Sequence, residues 1–195
     1  MVEMAIVIPL LLTLLLGFVD FGYAFYQWNA AAKAVQIGAR LAQISDPIAR
    51  ALPSVIATLP TGKSAGDSVA AGTYDFICIA NSAGTASCSS CASGLCTAST
   101  ATQAAFDLVY DGDANRPGMH DFFPGLTKSE VQVEYAATGL DYWTRPGGPV
   151  PTIKVSIIGH QFQFFFLGGL LNFAGFTMPD MLSTVTGEDL DSASP

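Results

Sequence analysis

Charge is what this sequence has least of. Only 12% of its 195 residues are Asp, Glu, Lys or Arg, and these divide into 8 basic and 16 acidic, a net charge of −8. So few cations leave no basic stripe to neutralise phosphates, which excludes a nucleic-acid surface. Histidine is scarcer still: His120 and His160 are the only two. No HExxH, G-x-S-x-G or phosphate-binding glycine loop accompanies them. His120, the one nearer the cysteines, does not by itself make a nucleophile pair. We therefore expect no enzymatic activity and no cofactor. Two further absences concern the start of the chain. Nothing basic precedes the first apolar run, and no small-x-small site closes it, so it does not read as a cleaved secretory signal.

In place of charge there is apolar surface, 50% of all residues. Met4 to Val19, MAIVIPLLLTLLLGFV, carries no ionisable group. It falls a little short of the roughly 20 residues that a spanning helix needs. It reaches that length if Asp20 and Phe21 to Tyr26 enter the membrane boundary, where Tyr23, Tyr26 and Trp28 suit an interfacial belt. Val2 to Ser45 reads as one long helix, bent locally at Pro9. Lys33, Arg40 and Arg50 follow the span, which by the positive-inside tendency would place the rest in the cytoplasm. The cysteines point to an oxidising compartment instead. The two signals agree if a basic leader once preceded Met1.

Cys78, Cys88, Cys91 and Cys96 all fall in one Ser/Ala/Gly-rich stretch. Behind a membrane anchor they read as two disulfides, with three pairings open. Zinc at Cys88-x-x-Cys91 is disfavoured because a second Cys-x-x-Cys is missing. Asp111-Gly-Asp113-Ala-Asn115 resembles the opening of a calcium loop, but Arg116 stands at the sixth position and Phe122 at the twelfth. A solvated turn is the favoured reading there, and calcium the minor one.

The fold expected is α+β. On the long helix, Ala30, Ala34, Gly38 and Ala42 recur every fourth residue, with Ala31, Val35 and Ala39 beside them. Such small side chains admit a close neighbour. That neighbour is the chain's own domain, other copies, or both on different lengths. Asp46-Pro47 ends the helix and opens a short segment, and Pro53 breaks the chain again before Ser54 to Leu59. Thr73 to Ala80 is a strand candidate, with Tyr74, Phe76, Cys78 and Ala80 on one face. Asn81 to Thr97 is the cysteine loop. Thr102 to Tyr110 reads as a helix capped by Ser99 or Thr100, and Asp111 to Gly118 as a polar loop. Glu130 to Ala136 alternates cleanly, with Thr152 to Gly159 as its partner. The Gly/Pro-rich loop between them is expected to fold Tyr142 and Trp143 over the sheet. Phe162 to Phe176 is a second apolar concentration, in which core or subunit contact is favoured over membrane because it lacks a basic face. Met181 to Thr186 is a last strand. Three regions result: an anchor and assembly helix at 1–45, an extracytoplasmic domain at 46–186 and a loose acidic tail at 187–195.

Glu3 and Asp20 are the carboxylates at membrane depth. Glu3 has an even choice between head-group exposure in a helix's first turn and a buried partner. Asp20 reads as interfacial, or as a polar contact within a helical bundle. Around them the sequence resembles a family. Val2-Glu3-Met4-Ala5, Pro9 followed by leucines, Gly17-Phe18-Val19-Asp20-Phe21-Gly22, Ala32 and Gly38-Ala39-Arg40 are together similar to the N-terminus of TadE-like proteins. These are pilin-like components of tight-adherence (Tad or Flp-type) pili within the type IV pilus superfamily.

The resemblance implies a minor pilin or pseudopilin of a Tad-type pilus or related secretion system, acting in assembly, initiation or tip formation. It implies removal of a leader by a membrane prepilin peptidase, residence in the bacterial inner membrane with a periplasmic domain, then incorporation into a cell-surface pilus. Its partners would be other pilins and the inner-membrane assembly platform. Glu3 matches the superfamily glutamate that pairs with a neighbour's N-terminal amine. A membrane-anchored periplasmic binding or adhesion module is the alternative. An anchored enzyme would need a pocket of perturbed titratable groups that the sequence does not display.

Overall fold

A computed structural model describes residues 2–89, 100–162, 164–166, 168–169, 176–187 and 190. Helix α1 runs from Val2 to Gln43 and passes through Pro9 unbroken. It ends two residues before the Ser45 expected from sequence. The Ser45 hydroxyl donates to the Leu41 carbonyl at 2.7 Å, satisfying one of the last carbonyls.

Beyond α1 lie strand β1 (Asp75–Ala80), strand β2 (Ala86–Cys88) and helix α2 (Gln103–Asp111). A two-residue pair follows, β3 (Gly112–Asp113) and β4 (Arg116–Pro117), then the short helix α3 (Met119–Phe122). Strands β5 (Val131–Ala136), β6 (Thr152–Ile157) and β7 (Met181–Thr186) complete the chain. The main sheet has the order β2-β1-β5-β6-β7, and every neighbouring pair is antiparallel. The fold is α+β, as expected.

Alternation along the strands explains which face is covered. Val131, Val133 and Tyr135 of β5 are fully buried, as are Phe76 and Cys78 of β1 and Ile153 and Val155 of β6. Burying a Val, Ile or Phe side chain in this way is worth about 1.5–3 kcal/mol. On the opposite face Lys154 meets Glu134 at 3.0 Å, and the two are directly paired across β5 and β6. The buried face receives α1, which lies over β6 and β7, with α2 and α3 beside it.

Several local expectations change. Asp46-Pro47 opens no helix. Ala49 instead bridges to Ala101, and a 3-10 turn follows at Leu52–Ser54 with Pro53 inside it. The supposed cysteine loop contains β2, which pairs with β1 through Cys78↔Cys88, Ile79↔Ser87 and Ala80↔Ala86. Thr102, not Ser99 or Thr100, is the residue before α2, and its side chain makes no capping bond. The Gln103 side chain works there instead, receiving the Ala86 N–H at 2.8 Å and donating to the Gly84 carbonyl and Asp107. Trp143 is buried as expected, whereas Tyr142 stays 41% exposed. The start of the acidic tail is tied down: Gly187 donates to the Pro151 carbonyl at 2.8 Å, and Leu190 packs against the core.

Candidate functional site

The first half of α1 is bare. Met4, Ile6, Val7, Ile8, Leu10, Leu11 and Val19 are each more than half exposed. A helix apolar on every side is stable in water only when covered, so this length is built for lipid or for other helices. At 1.5 Å per residue, Val2 to Val19 measures about 26 Å, close to the thickness of a bilayer's hydrocarbon core. Among the described residues one helix is long and apolar enough to cross a membrane, and it is this one.

The second half of α1 is the opposite. Ala31, Ala34, Val35, Ala39, Leu41 and Ala42 are buried, and Ala30 is half-buried against the same cluster. Gly38 lies beneath Met119 and Val155, where a Cβ would overlap the Met119 side chain. The Ala30/Ala34/Gly38/Ala42 seam is thus spent on the chain's own sheet and short helices, from Ala34 onward completely.

Asp20 stands between the two halves and is fully buried. Its carboxylate accepts the backbone N–H of Phe165 at 3.0 Å, and that of Phe166 at 3.0 and 3.3 Å through its two oxygens. Charge-assisted bonds of this kind are among the stronger ones. Neither of the two sequence readings of Asp20 anticipated it: the partner is the chain itself, about 145 residues on. Above Asp20, the Tyr23 ring lies 4.8 Å from Phe165 and the Trp28 indole stacks on Phe162 at 6.5 Å. Residues 160–162 and 176–178 are zipped together by Phe162 N–H to the Phe176 carbonyl and Met178 N–H to the His160 carbonyl. Of the three readings given for Phe162 to Phe176, the described part makes its contact with α1. Residues 163, 167 and 170–175 lie outside the described residues.

The other candidates separate. Glu3 falls in the first turn of α1, and its side chain lies outside the described residues. Cys78 and Cys88 form a disulfide across β1 and β2; Cys91 and Cys96 lie outside the described residues. Asp111 and Asp113 do not converge on a cation. Asp111 meets Lys128 at 2.8 Å, and Asp113 holds Arg116 at 2.6 Å while accepting the N–H groups of Asn115 and Arg116. The Arg116 bonds, then that of Asn115, hold the Asp113 carboxyl below its usual range. The D-x-D-x-N motif is the turn between β3 and β4. Asn115 supplies a backbone donor there. No group of three or more His, Cys, Asp or Glu positioned to hold a metal occurs among the described residues.

Both histidines lie against aromatic rings. His160 is buried with its Nδ1 2.9 Å from Glu130 and its ring against the edge of Phe123. His120 leans on the Tyr110 ring. Sequence reasoning missed Phe165 and Phe166, which meet Asp20 through backbone amides that carry no sequence signal.

No curated protein and no solved structure matches this chain. Residues 1–40, which take in α1 up to Arg40, are similar to the family model described as TadE-like protein.

Proposed function

We propose that this chain is a non-enzymatic, pilin-like subunit of a Tad-type pilus or a related secretion pseudopilus, acting in assembly, initiation or tip formation. The observation that carries the reading is the division of α1. One continuous helix supplies both an uncovered apolar stem and the spine of a folded head, so the stem can sit in a bilayer and later in a fibre without refolding the head.

On this reading the stem holds the subunit in the inner membrane with the head in the periplasm. A prepilin peptidase prepares it, and the assembly platform and other pilins receive it. Glu3 provides a carboxylate in the stem's first turn, where an amine of a neighbouring subunit lowers the cost of placing it in hydrocarbon.

Glu3→Ala tests this. Glu3 lies a full stem's length from the head, so melting of the head in detergent is expected to be unchanged. Recovery in sheared pili is expected to fall to background, while the membrane pool stays normal. Wild-type recovery of the mutant in pili would overturn the assignment.

A further inference from the structure

Two long stretches of this chain are nearly bare of Asp, Glu, Lys and Arg. Met4 to Ala32 has Asp20 alone of these, and Val155 to Pro179 has none. The fold lays one against the other. Phe162, Phe165 and Phe166 descend along α1 from Trp28 to Asp20, held by the ring contacts at Trp28 and Tyr23 and by the hydrogen bonds that the Phe165 and Phe166 N–H groups donate to Asp20.

The outward surface of this contact is aromatic. Phe165 is 63% exposed, Phe166 42% and Phe176 60%. Phe164 packs edge-on against Phe176 at 6.3 Å. Exposed rings on a segment without Asp, Glu, Lys or Arg form a surface that water does not favour.

Its height on the helix gives the occupant. Asp20 comes directly after the roughly 26 Å apolar stem, and Trp28 stands about 12 Å higher. The patch therefore coincides with the zone between hydrocarbon and head groups, where aromatic side chains concentrate. The hydrogen bonding fits the same place. A bent backbone at that depth needs acceptors for its N–H groups, and a carboxylate there needs donors. Asp20 and the Phe165–Phe166 amides meet both needs at once.

We propose that Phe162, Phe165, Phe166 and Phe176 form a second membrane contact, an aromatic foot that rests in the head-group zone of the bilayer entered by α1, with Asp20 as the positioning residue that clasps it to the helix. The proposal rests on the stem being membrane-embedded. It assigns to the foot the height and the rotation of the head above the lipid.

The test uses the full chain reconstituted at one copy per phosphatidylcholine nanodisc. Tryptophan is introduced at Phe165 (F165W) or, within the stem, at Leu11 (L11W), and each is read as the difference from the unmodified protein with its own Trp28 and Trp143. Quenchers are lipids brominated near the head group, lipids brominated deep in the chains, and aqueous iodide. The tryptophan of F165W is expected to lose most of its emission to shallow bromines and little to iodide, while that of L11W responds to deep bromines. Adding Asp20→Ala is expected to shift F165W toward iodide and leave L11W unmoved, with the circular dichroism of the head retained. If F165W with Asp20 intact responds to iodide alone while L11W is quenched by lipid, the foot is not in the membrane and the proposal falls. If F165W responds to neither quencher, protein covers it, which also overturns the proposal. If L11W escapes lipid quenching as well, the membrane reading beneath it fails.

Discussion

The phenol of Tyr74 donates to the carboxylate of Asp141 at 3.1 Å, with both residues buried. The same carboxylate receives the N–H groups of Tyr142 and Val150, so it organises the loop between β5 and β6. Burial first, then the Asp141 charge and its hydrogen bond, raise the Tyr74 pKa far above the usual phenol range. Burial also raises that of Tyr135, whose oxygen accepts the Ile48 N–H at 3.2 Å.

These two phenols predict an alkaline limit. Because their folded values lie above the unfolded value of about 10, they favour the native state fully below that pH. Above it the unfolded chain releases protons that the folded chain keeps, so the contribution declines and is gone once the raised folded values are passed. Phenolate absorbance in detergent is expected to rise in two stages, the second coinciding with loss of circular dichroism. Tyr74→Phe and Tyr135→Phe should each reduce the second stage. A single stage complete before unfolding would contradict this.

Two glycines on one helix predict opposite outcomes. Gly38→Leu drives a side chain into Met119 and Val155 and should destabilise the head by about 1–3 kcal/mol or more. Gly17 has nothing within 4 Å, so Gly17→Leu should leave unfolding unchanged or stabilise the helix by up to about 1 kcal/mol. If stems pack closely in a fibre, Gly17→Leu is lost from sheared pili. If the stem only tethers a binding or adhesion module, the variant behaves as wild type in every assay.

The Cys78–Cys88 bridge joins residues directly opposite in register, ten apart in sequence. Removing both sulfurs together, as Cys78→Ala with Cys88→Ala, should cost about 2–3 kcal/mol in denaturant unfolding. Non-reducing peptide mapping is expected to recover the two cysteines in one linked fragment. A fragment linking Cys78 to Cys91 or Cys96 would refute the pairing.

What was legible in the sequence follows from how each signal arises. β5 and β6 show plainly because one face is dry and the other wet, and Val131, Val133 and Tyr135 alternate accordingly. β2 does not show, because three residues cannot display a period. Small residues at Ala34, Gly38 and Ala42 announced a close neighbour without naming it, since the spacing is the same for a sheet and for another helix. At Asp111 and Asp113 a solvated turn was the favoured reading; calcium stayed open as the minor one because the Lys128 that takes the first lies in a distant segment, while the Arg116 that takes the second is visible only as a misfit. Asp20 was the hardest case. Its partners are main-chain amides, and any residues at 165 and 166 other than proline would supply them.

The wedging of α1 under β6 and β7 has a geometric corollary. Head and stem turn as one shaft, and each residue of that shaft advances about 100° and 1.5 Å. Inserting or deleting a single residue between Glu3 and Asp20 would therefore re-aim the entire outer surface by more than a quarter turn while changing its height hardly at all. The number of residues in the apolar run works as a phase setting, and its composition can drift more freely than its length.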